Sequence, residues 1–362
     1  MAQLITAEIN EQEFKQLFGI DEPSGLFHKQ HTIQGYPNPN GVNPFRLVVN
    51  KLGRCYWLLA HDNLQGPRFS GANVYYQGNN ARLIRTIYPN ARRIIDVGAN
   101  VGNNTIAYSE WAEHVESFEP TPTTQMLLEA NIQIAKAQNL HGIYWQGDAT
   151  SGAIHRDANK KAGWYVYKSE PQPMNVKADI TVHKVAITNV NQGTVSILDH
   201  LDHGGHNHIQ TDLNKGIRSS QNLVPVPART IDSYNFEDVD VIKIDVEGAE
   251  KMVLDGAMQT IDKHRPAVQF EIVEKQCKKF GYTPQDLYDP LIKRDYVPVC
   301  AVRKPANREQ RGLFFGKTLN NTWQHVPKYM DRLLVPKEIH EKVDYGIMDQ
   351  AESNFDSIFQ LA

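Results

Sequence analysis

The residues best suited to chemistry lie in one stretch, VDVIKIDVEGAEKMVLDG, from Val239 to Gly256. Val241, Ile242, Ile244 and Val246 read as a β-branched strand, yet Lys243, Asp245 and Glu247 alternate with them. Two arrangements give this pattern. One is a half-solvated antiparallel strand with one face in water. The other is the tip of a buried strand opening into a cleft, where carboxylates can take up a proton or hold a hard cation.

A second stretch, IIDVGANVGNNT from Ile94 to Thr105, reads as strand, glycine turn and helix. After a first parallel strand, such a turn is where nucleotide-like ligands bind, because Gly98 and Gly102 let the backbone approach and the next helix begins with free N–H groups. The spacing is Asp-x-Gly-x-x-x-Gly and lacks the glycine pattern of dinucleotide binders. That argues against a pyrophosphate cradle and a nicotinamide-dependent oxidoreductase, and for an adenosine-bearing ligand without phosphate. In VESFEPTP, Glu119 follows about 20 residues later, where an acid can accept hydrogen bonds from two ribose hydroxyls; alternatively it caps the next helix. The run His200, His203, His206 and His208 has spacings that could serve a metal. Its Gly, Asn and Asp neighbours favour a flexible loop near the cleft, from which His206 or His208 could act as a base. Trp145, Trp164, Tyr165 and Tyr167 either pack against the sheet or stack on a sugar or base.

The elements that must position these groups change character along the chain. Residues 1–90 read as an N-terminal extension, with a short helix in EQEFKQLFG and a hairpin around Asn50–Gly53. Within residues 91–317, strands and helices alternate from Arg92, the pattern loosens between about 140 and 240, and it returns after Val239, which implies a parallel sheet covered on both faces. Thr121 is placed to cap a helix opened by Pro122. GLFFGK is read as the final strand. Residues 148–178, polar and Pro-containing, read as an insertion, and 318–362 as a partly helical tail.

Bulk properties narrow the class. The 362 residues are 41% hydrophobic and 22% charged, as in a folded globular protein. A net charge of -3 draws the chain to no polyanion. The basic stretches Arg82–Arg93 and Arg303–Arg311 are read first as ordinary solvated surface. Cys55, Cys277 and Cys300 form neither a disulfide framework nor a zinc spacing, so a reducing, cytoplasmic setting is expected. The opening residues lack the pattern of a secretory signal, and no apolar run approaches the ~20 residues needed to span a bilayer.

IIDVGANVGNNT, VESFEPTP, VHKVAITNVNQGTVSI, TIDSY and VDVIKIDVEGAEKMVLDGA with HRPAVQFEI occur in that order. Together they resemble the FkbM family of S-adenosylmethionine-dependent methyltransferases, from Tyr75 to Gly316. The resemblance implies a class I, Rossmann-like α/β fold: a seven-stranded, mostly parallel sheet whose last strand runs antiparallel. It implies S-adenosylmethionine as cofactor, with Asp96, Gly98, Ala99, Asn100, Gly102 and Thr105 around its methionine part and Glu119 with Thr121 at the ribose. Adenine would lie at the end of the third strand. Val185 and Ala186 match the family best there, with Asp148 as the other candidate.

On that fold the strand at Val239 is central, so solvated alternation is a poor explanation and its charges need partners or a cleft. Asp245, Glu247 and Glu271 become candidates to take the proton of an acceptor hydroxyl, with Lys243 deeper on the same side. A lesser option is that these carboxylates hold Mg²⁺; no metal ligand set is assigned. The expected function is O-methylation of a hydroxyl on a sugar, glycan or small metabolite. Methylation of nucleic acid, or a catalytically silent cofactor-binding assembly protein, are the alternatives. Residues 1–90 and the tail would complete the acceptor site or an oligomer contact.

Overall fold

The computed structural model describes residues 45–49, 55–59, 65, 78–136, 142–146, 163–167, 175–191, 193–200, 207–211, 221–299, 301–303, 313–315 and 330–343. The short helix expected in EQEFKQLFG, Asp148, His203 and His206 lie outside these residues.

A seven-stranded sheet organises the chain. Its strands are β3 (Arg93–Val97), β4 (His114–Phe118), β7 (Asp179–His183), β12 (Val239–Ile244), β13 (Ala267–Ile272), β14 (Tyr296–Val299) and β17 (Met330–Pro336). Their order is β14-β17-β13-β12-β3-β4-β7. From β13 to β7 the neighbours are parallel, and β17 runs antiparallel to both β13 and β14. This is the class I methyltransferase arrangement expected from the sequence.

One expectation is corrected. The antiparallel last strand is Met330–Pro336, beyond residue 317 and inside the segment read as a tail. Leu313–Phe315 of GLFFGK (β16) instead pairs with Ala301–Arg303 (β15) in a separate two-stranded sheet. The reason is visible in burial. Leu333, Leu334 and Val335 are almost wholly buried, and β17 is flanked by strands on both sides. Three apolar residues between Arg332 and Pro336 make too short a run to announce a central strand. Among the described residues of the tail, its helical character is a short helix, Lys337–His340.

Two cores cover the two faces of the sheet. On one face, Ile94, Val115, Val241 and Ala267 meet helices α1 (Gly78–Ile87), α2 (Asn103–Tyr108) and α3 (Pro122–Lys136). On the other, Ile95, Ile242, Ile244, Val268 and Phe270 meet α4 (Glu250–Asp255), α5 (Met258–His264) and the helices that follow β13, α6 (Glu274–Lys279) and α7 (Gln285–Ile292).

The hairpin in the N-terminal extension, β1 (Phe45–Val49) and β2 (Cys55–Leu59), contributes to the first core. Tyr56, Trp57, Leu58 and Leu59 are buried there. Asn131 of α3 fixes the docking. Its Oδ1 accepts from the Trp57 N–H at 2.6 Å, and its amide donates to the carbonyls of Trp57 at 3.1 Å and Val101 at 2.7 Å.

A smaller sheet, β10-β9-β11-β8, stands at the carboxyl edge of the large one. It comprises β8 (Ala186–Ile187), β9 (Thr194–His200), β10 (His208–Ile209) and β11 (Gln221–Arg229). Its core packs on Ala249, with Val246 and Phe280 beside it. The segment GIYWQ (β5, Gly142–Gln146) pairs with β6 (Gly163–Tyr167) and not with the large sheet. Among the described residues no helix is long and apolar enough to cross a membrane.

Candidate active site

Register explains the alternation in the Val239 strand. Val241 and Lys243 share one face, beside Ile94 and Asp96 on β3 and Ala267 and Gln269 on β13, and Asp245 continues the alternation just past the strand end. Toward the strand ends that face turns polar, while Ile242 and Ile244 keep the opposite face apolar. Both faces of the strand are covered, so its buried charge, Lys243, is held by partners. Lys243 is 3% exposed, and its ammonium lies 3.0 Å from the Gly98 carbonyl, 3.2 Å from Asp96 Oδ1 and 3.5 Å from Asp245 Oδ2. Asp96 Oδ2 accepts from the Thr105 hydroxyl at 2.7 Å, and Thr105 Oγ1 lies 2.9 Å from Ser117 Oγ. A polar ladder thus runs from β4 through β3 to the end of β12.

The turn after β3 is pressed against the end of β12. The N–H groups of Gly98 and Ala99 both donate to the Phe118 carbonyl, at 3.0 Å each, and Asp245 N–H donates to Val97 O at 3.0 Å. Gly98 has φ +77°, and a Cβ there would lie 1.8 Å from the Asp245 carbonyl oxygen. Only glycine fits both the left-handed backbone and that approach.

Glu119 closes the other side of the turn. It is 5% exposed; its Oε2 accepts from Asn100 N–H at 3.0 Å and its Oε1 from Thr121 N–H at 2.9 Å. Burial pushes its carboxyl up to about 7, against the pull of Thr121 and Asn100, with Asp199 pushing the same way as burial. No cation pairs with it among the described residues. Asp199, on β9, is itself raised to about 6 by burial, opposed by a hydrogen bond with Thr123. Asn207 donates to Thr124 Oγ1 at 3.1 Å, so the small sheet is seated on the start of α3.

At the end of β12 the carboxylates of Asp245, Glu247 and Glu271 lie within 4.8 Å of one another, each half-buried. Burial, then Asp245 and Glu250, push Glu247 up to about 8, while Gln276 and Lys243 oppose the rise. The Gln276 amide donates to Glu247.

The expected cofactor turn (Asp96, Gly98, Ala99, Asn100, Gly102, Thr105), Glu119 and Thr121 therefore adjoin the expected acids, Asp245, Glu247 and Glu271, through Lys243. The third strand of the sheet is Asp179–His183, followed after Lys184 by Val185 and by Ala186, which is buried. Lys243 lies deeper than the acids, as expected, against Asp96, Asp245 and the Gly98 carbonyl. One expectation changes. The histidine run is not all loop: His200 ends β9 opposite Gln221, and His208 begins β10 opposite Leu198. Asp199 and Gln276 were not singled out in the sequence. Asp199 precedes the histidine run, the only local signal for it; Gln276 lies on a helix with no motif of its own.

Residues 96–298 match the family described as Methyltransferase FkbM domain. Among solved structures, the methyltransferase FkbM from Methylobacillus flagellatus KT is 15% identical with a TM-score of 0.36; the alignment covers 68% of this chain and 43% of that one. A precorrin-6y C5,15-methyltransferase from Geobacter metallireducens GS-15 is 10% identical over 73% of this chain and 92% of that one, TM-score 0.32. The tRNA (uracil-54, C5)-methyltransferase of Pyrococcus abyssi, in complex with S-adenosyl-L-homocysteine, is 11% identical over 80% of this chain and 43% of that one, TM-score 0.31. The chain thus spans less than half the length of the first of these. A comparison with curated proteins gives no match.

Proposed function

Because the chain belongs to the FkbM methyltransferase domain family, we propose that it transfers a methyl group from S-adenosylmethionine to a hydroxyl of a sugar, glycan or small metabolite. The observation that carries this reading is the contact between the Gly98 turn and Asp245, tied by Lys243. It brings the glycine turn, read as the cofactor turn, and a cluster of carboxylates to one point of the sheet's carboxyl edge.

The residues present fit the cofactor. Glu119 is a buried carboxylate whose oxygens each receive one backbone N–H and no cation among the described residues. Two ribose hydroxyls would supply the missing donors. Asn100, with φ 51°, holds its N–H toward that carboxylate. Val185 and Ala186, just past the third strand, would border the adenine. When bound, S-adenosylmethionine supplies an electrophilic methyl on a sulfonium, so the protein's task is alignment and proton removal.

Glu247, raised to about 8, keeps its proton near neutral pH. Asp245 and Glu271 are then the groups that take the acceptor's proton. Either carboxylate would accept the proton of the acceptor hydroxyl, leaving that oxygen's lone pair free for the methyl group that the bound cofactor would supply. Protonated Glu247 can meanwhile donate to a neighbouring oxygen of the acceptor. This pairing suits vicinal oxygens, as on a sugar. The Lys243 ammonium already supplies positive charge beside Asp245, so the reading needs no Mg²⁺ there.

The Arg82–Arg93 stretch offers little support for a nucleic-acid acceptor. Arg92 pairs with Asp238 and Asp240, Arg93 pairs with Glu116, and Arg82 is buried. The widely spaced cysteines support a reducing compartment. Incubation with methyl-labelled cofactor and fractionated sugar, metabolite and nucleic-acid pools tests the reading. Label in a base-stable methyl ether is expected. Label in nucleic acid, or cofactor binding with no transfer to any pool, would overturn it.

A further inference from the structure

We infer that Glu250 is the positioning residue of the acid cluster: its carboxylate gathers the backbone on both sides of Glu247 and holds that side chain against Asp245. The inference rests on the reading of Asp245, Glu247 and Glu271 as the acceptor side of a methyltransferase site.

Between the end of β12 and the start of α4 the chain reverses within a few residues. Glu247 has φ 57° and Gly248 φ 116°. A glutamate in the left-handed region is unfavourable on its own, so the surroundings must impose it. Glu250 does so. It is 2% exposed, and its Oε1 accepts from the N–H groups of Val246 and Gly248, both at 3.1 Å. These are the residues immediately flanking Glu247. Tyr282 locks the other oxygen: its hydroxyl lies 2.8 Å from Glu250 Oε2 and 3.0 Å from the Gly248 carbonyl. A Cβ on Gly248 would meet the Phe280 ring at 2.5 Å, so the turn is also pressed onto the segment after α6. A glutamate that merely capped α4 would have no reason to bracket the residue before it.

The same carboxylate acts through charge. Glu247 faces Lys243 and Asp245 from β12, Glu250 from α4, Glu271 from β13 and Gln276 from α6. Of these only Lys243 is cationic. Burial raises Glu250's own carboxyl, opposed by the Gly248 and Val246 N–H groups and the Tyr282 hydroxyl, and in its ionised form Glu250 works against charge on Glu247.

Position and charge separate by substitution. Glu250→Gln keeps an oxygen for the two N–H groups and removes the charge, Glu250→Ala removes both, and Tyr282→Phe removes the outer tie. Three readouts on the full chain test the idea without an acceptor. They are S-adenosylhomocysteine affinity by calorimetry, amide exchange at Val246 and Gly248, and the carboxyl ¹³C titration of Glu247, assigned from its loss in Glu247→Gln. Glu250→Gln is expected to lower the Glu247 midpoint by about one pH unit with little change in exchange. Glu250→Ala is expected to speed exchange at both amides about ten-fold or more, Tyr282→Phe by less, and all three to leave S-adenosylhomocysteine affinity within about three-fold. An unmoved Glu247 titration in Glu250→Gln, or unchanged exchange in Glu250→Ala, would overturn the assignment. Failure of wild-type protein to bind S-adenosylhomocysteine, with the exchange and titration effects intact, would count against the methyltransferase reading and not against the role of Glu250 in the turn.

Discussion

Gly98→Ala is the substitution whose consequence follows most directly from geometry. The new methyl carbon would stand 1.8 Å from the Asp245 carbonyl oxygen and 2.8 Å from its carbon. Non-bonded carbon and oxygen rarely approach within ~3.3 Å, so the junction of β3 and β12 must open by on the order of 1 Å. Left-handed backbone at alanine costs about 1–2 kcal/mol, and forced overpacking about 1–3 kcal/mol more. A combined loss of ~2–5 kcal/mol corresponds to a fall in Tm on the order of 5–15 °C for a domain of this size. The opening also parts the Gly98 carbonyl from Lys243, so S-adenosylhomocysteine affinity should fall by about ten-fold or more. Gly193→Ala supplies the control: φ is +118°, but nothing lies within 4 Å of the added carbon. Differential scanning calorimetry and titration calorimetry on both variants separate backbone strain from collision. Equal, small losses of Tm in the two variants, with cofactor affinity retained in Gly98→Ala, would refute the reasoning.

Further outcomes follow from the same geometry. Lys243→Met leaves Asp96 and Asp245 without their shared cation and should cost ~3–5 kcal/mol, seen as a lower denaturant midpoint at unchanged m-value. Asn131→Ala strands the buried backbone of Trp57 and the Val101 carbonyl; a loss of about 2–4 kcal/mol by urea unfolding is expected, with S-adenosylhomocysteine affinity also reduced. Glu119 and Glu247 have carboxyls raised from 4.5 to about 7 and about 8. Between the lower and upper values the folded protein binds more protons than the unfolded chain, so stability should fall as pH rises from 5 to 8. Thermal scans across that range should show the fall, and Glu119→Gln and Glu247→Gln should each flatten it. Ribose hydroxyls favour charged Glu119, so S-adenosylhomocysteine affinity should rise with pH through 7 in wild type and not in Glu119→Gln.

The sheet was legible where local pattern and burial agree. The β-branched runs at Ile94 and Val239, each followed by a turn, announced parallel strands, and the acids at their carboxyl ends were read as lining a cleft. The antiparallel strand at Met330–Pro336 was not legible, because its burial is imposed by two neighbouring strands and leaves only three consecutive apolar residues. Lys243 shows a subtler limit. Its place on the polar side of the strand could be read from alternation, but two of its three partners, Asp96 and the Gly98 carbonyl, come from a register between β12 and β3 that no local signal encodes. The seat of the small sheet on α3, through Asp199 and Asn207, is likewise a contact between segments distant in sequence. Nothing in the sequence distinguishes Glu250 from an ordinary acid near a helix start, since its bonds to Val246 and Gly248 depend on the left-handed backbone at Glu247.

The central claim is that the buried Glu119 carboxylate holds a cofactor whose reactive end reaches the acids after β12. Equilibrium binding of S-adenosylmethionine to wild type, Glu119→Ala and Asp245→Asn tests it most directly. Loss of charge-assisted hydrogen bonds should weaken Glu119→Ala by about 10-fold to 100-fold, while Asp245→Asn stays within about three-fold of wild type. Equal affinity in wild type and Glu119→Ala, or no binding by the wild-type protein, would contradict the account.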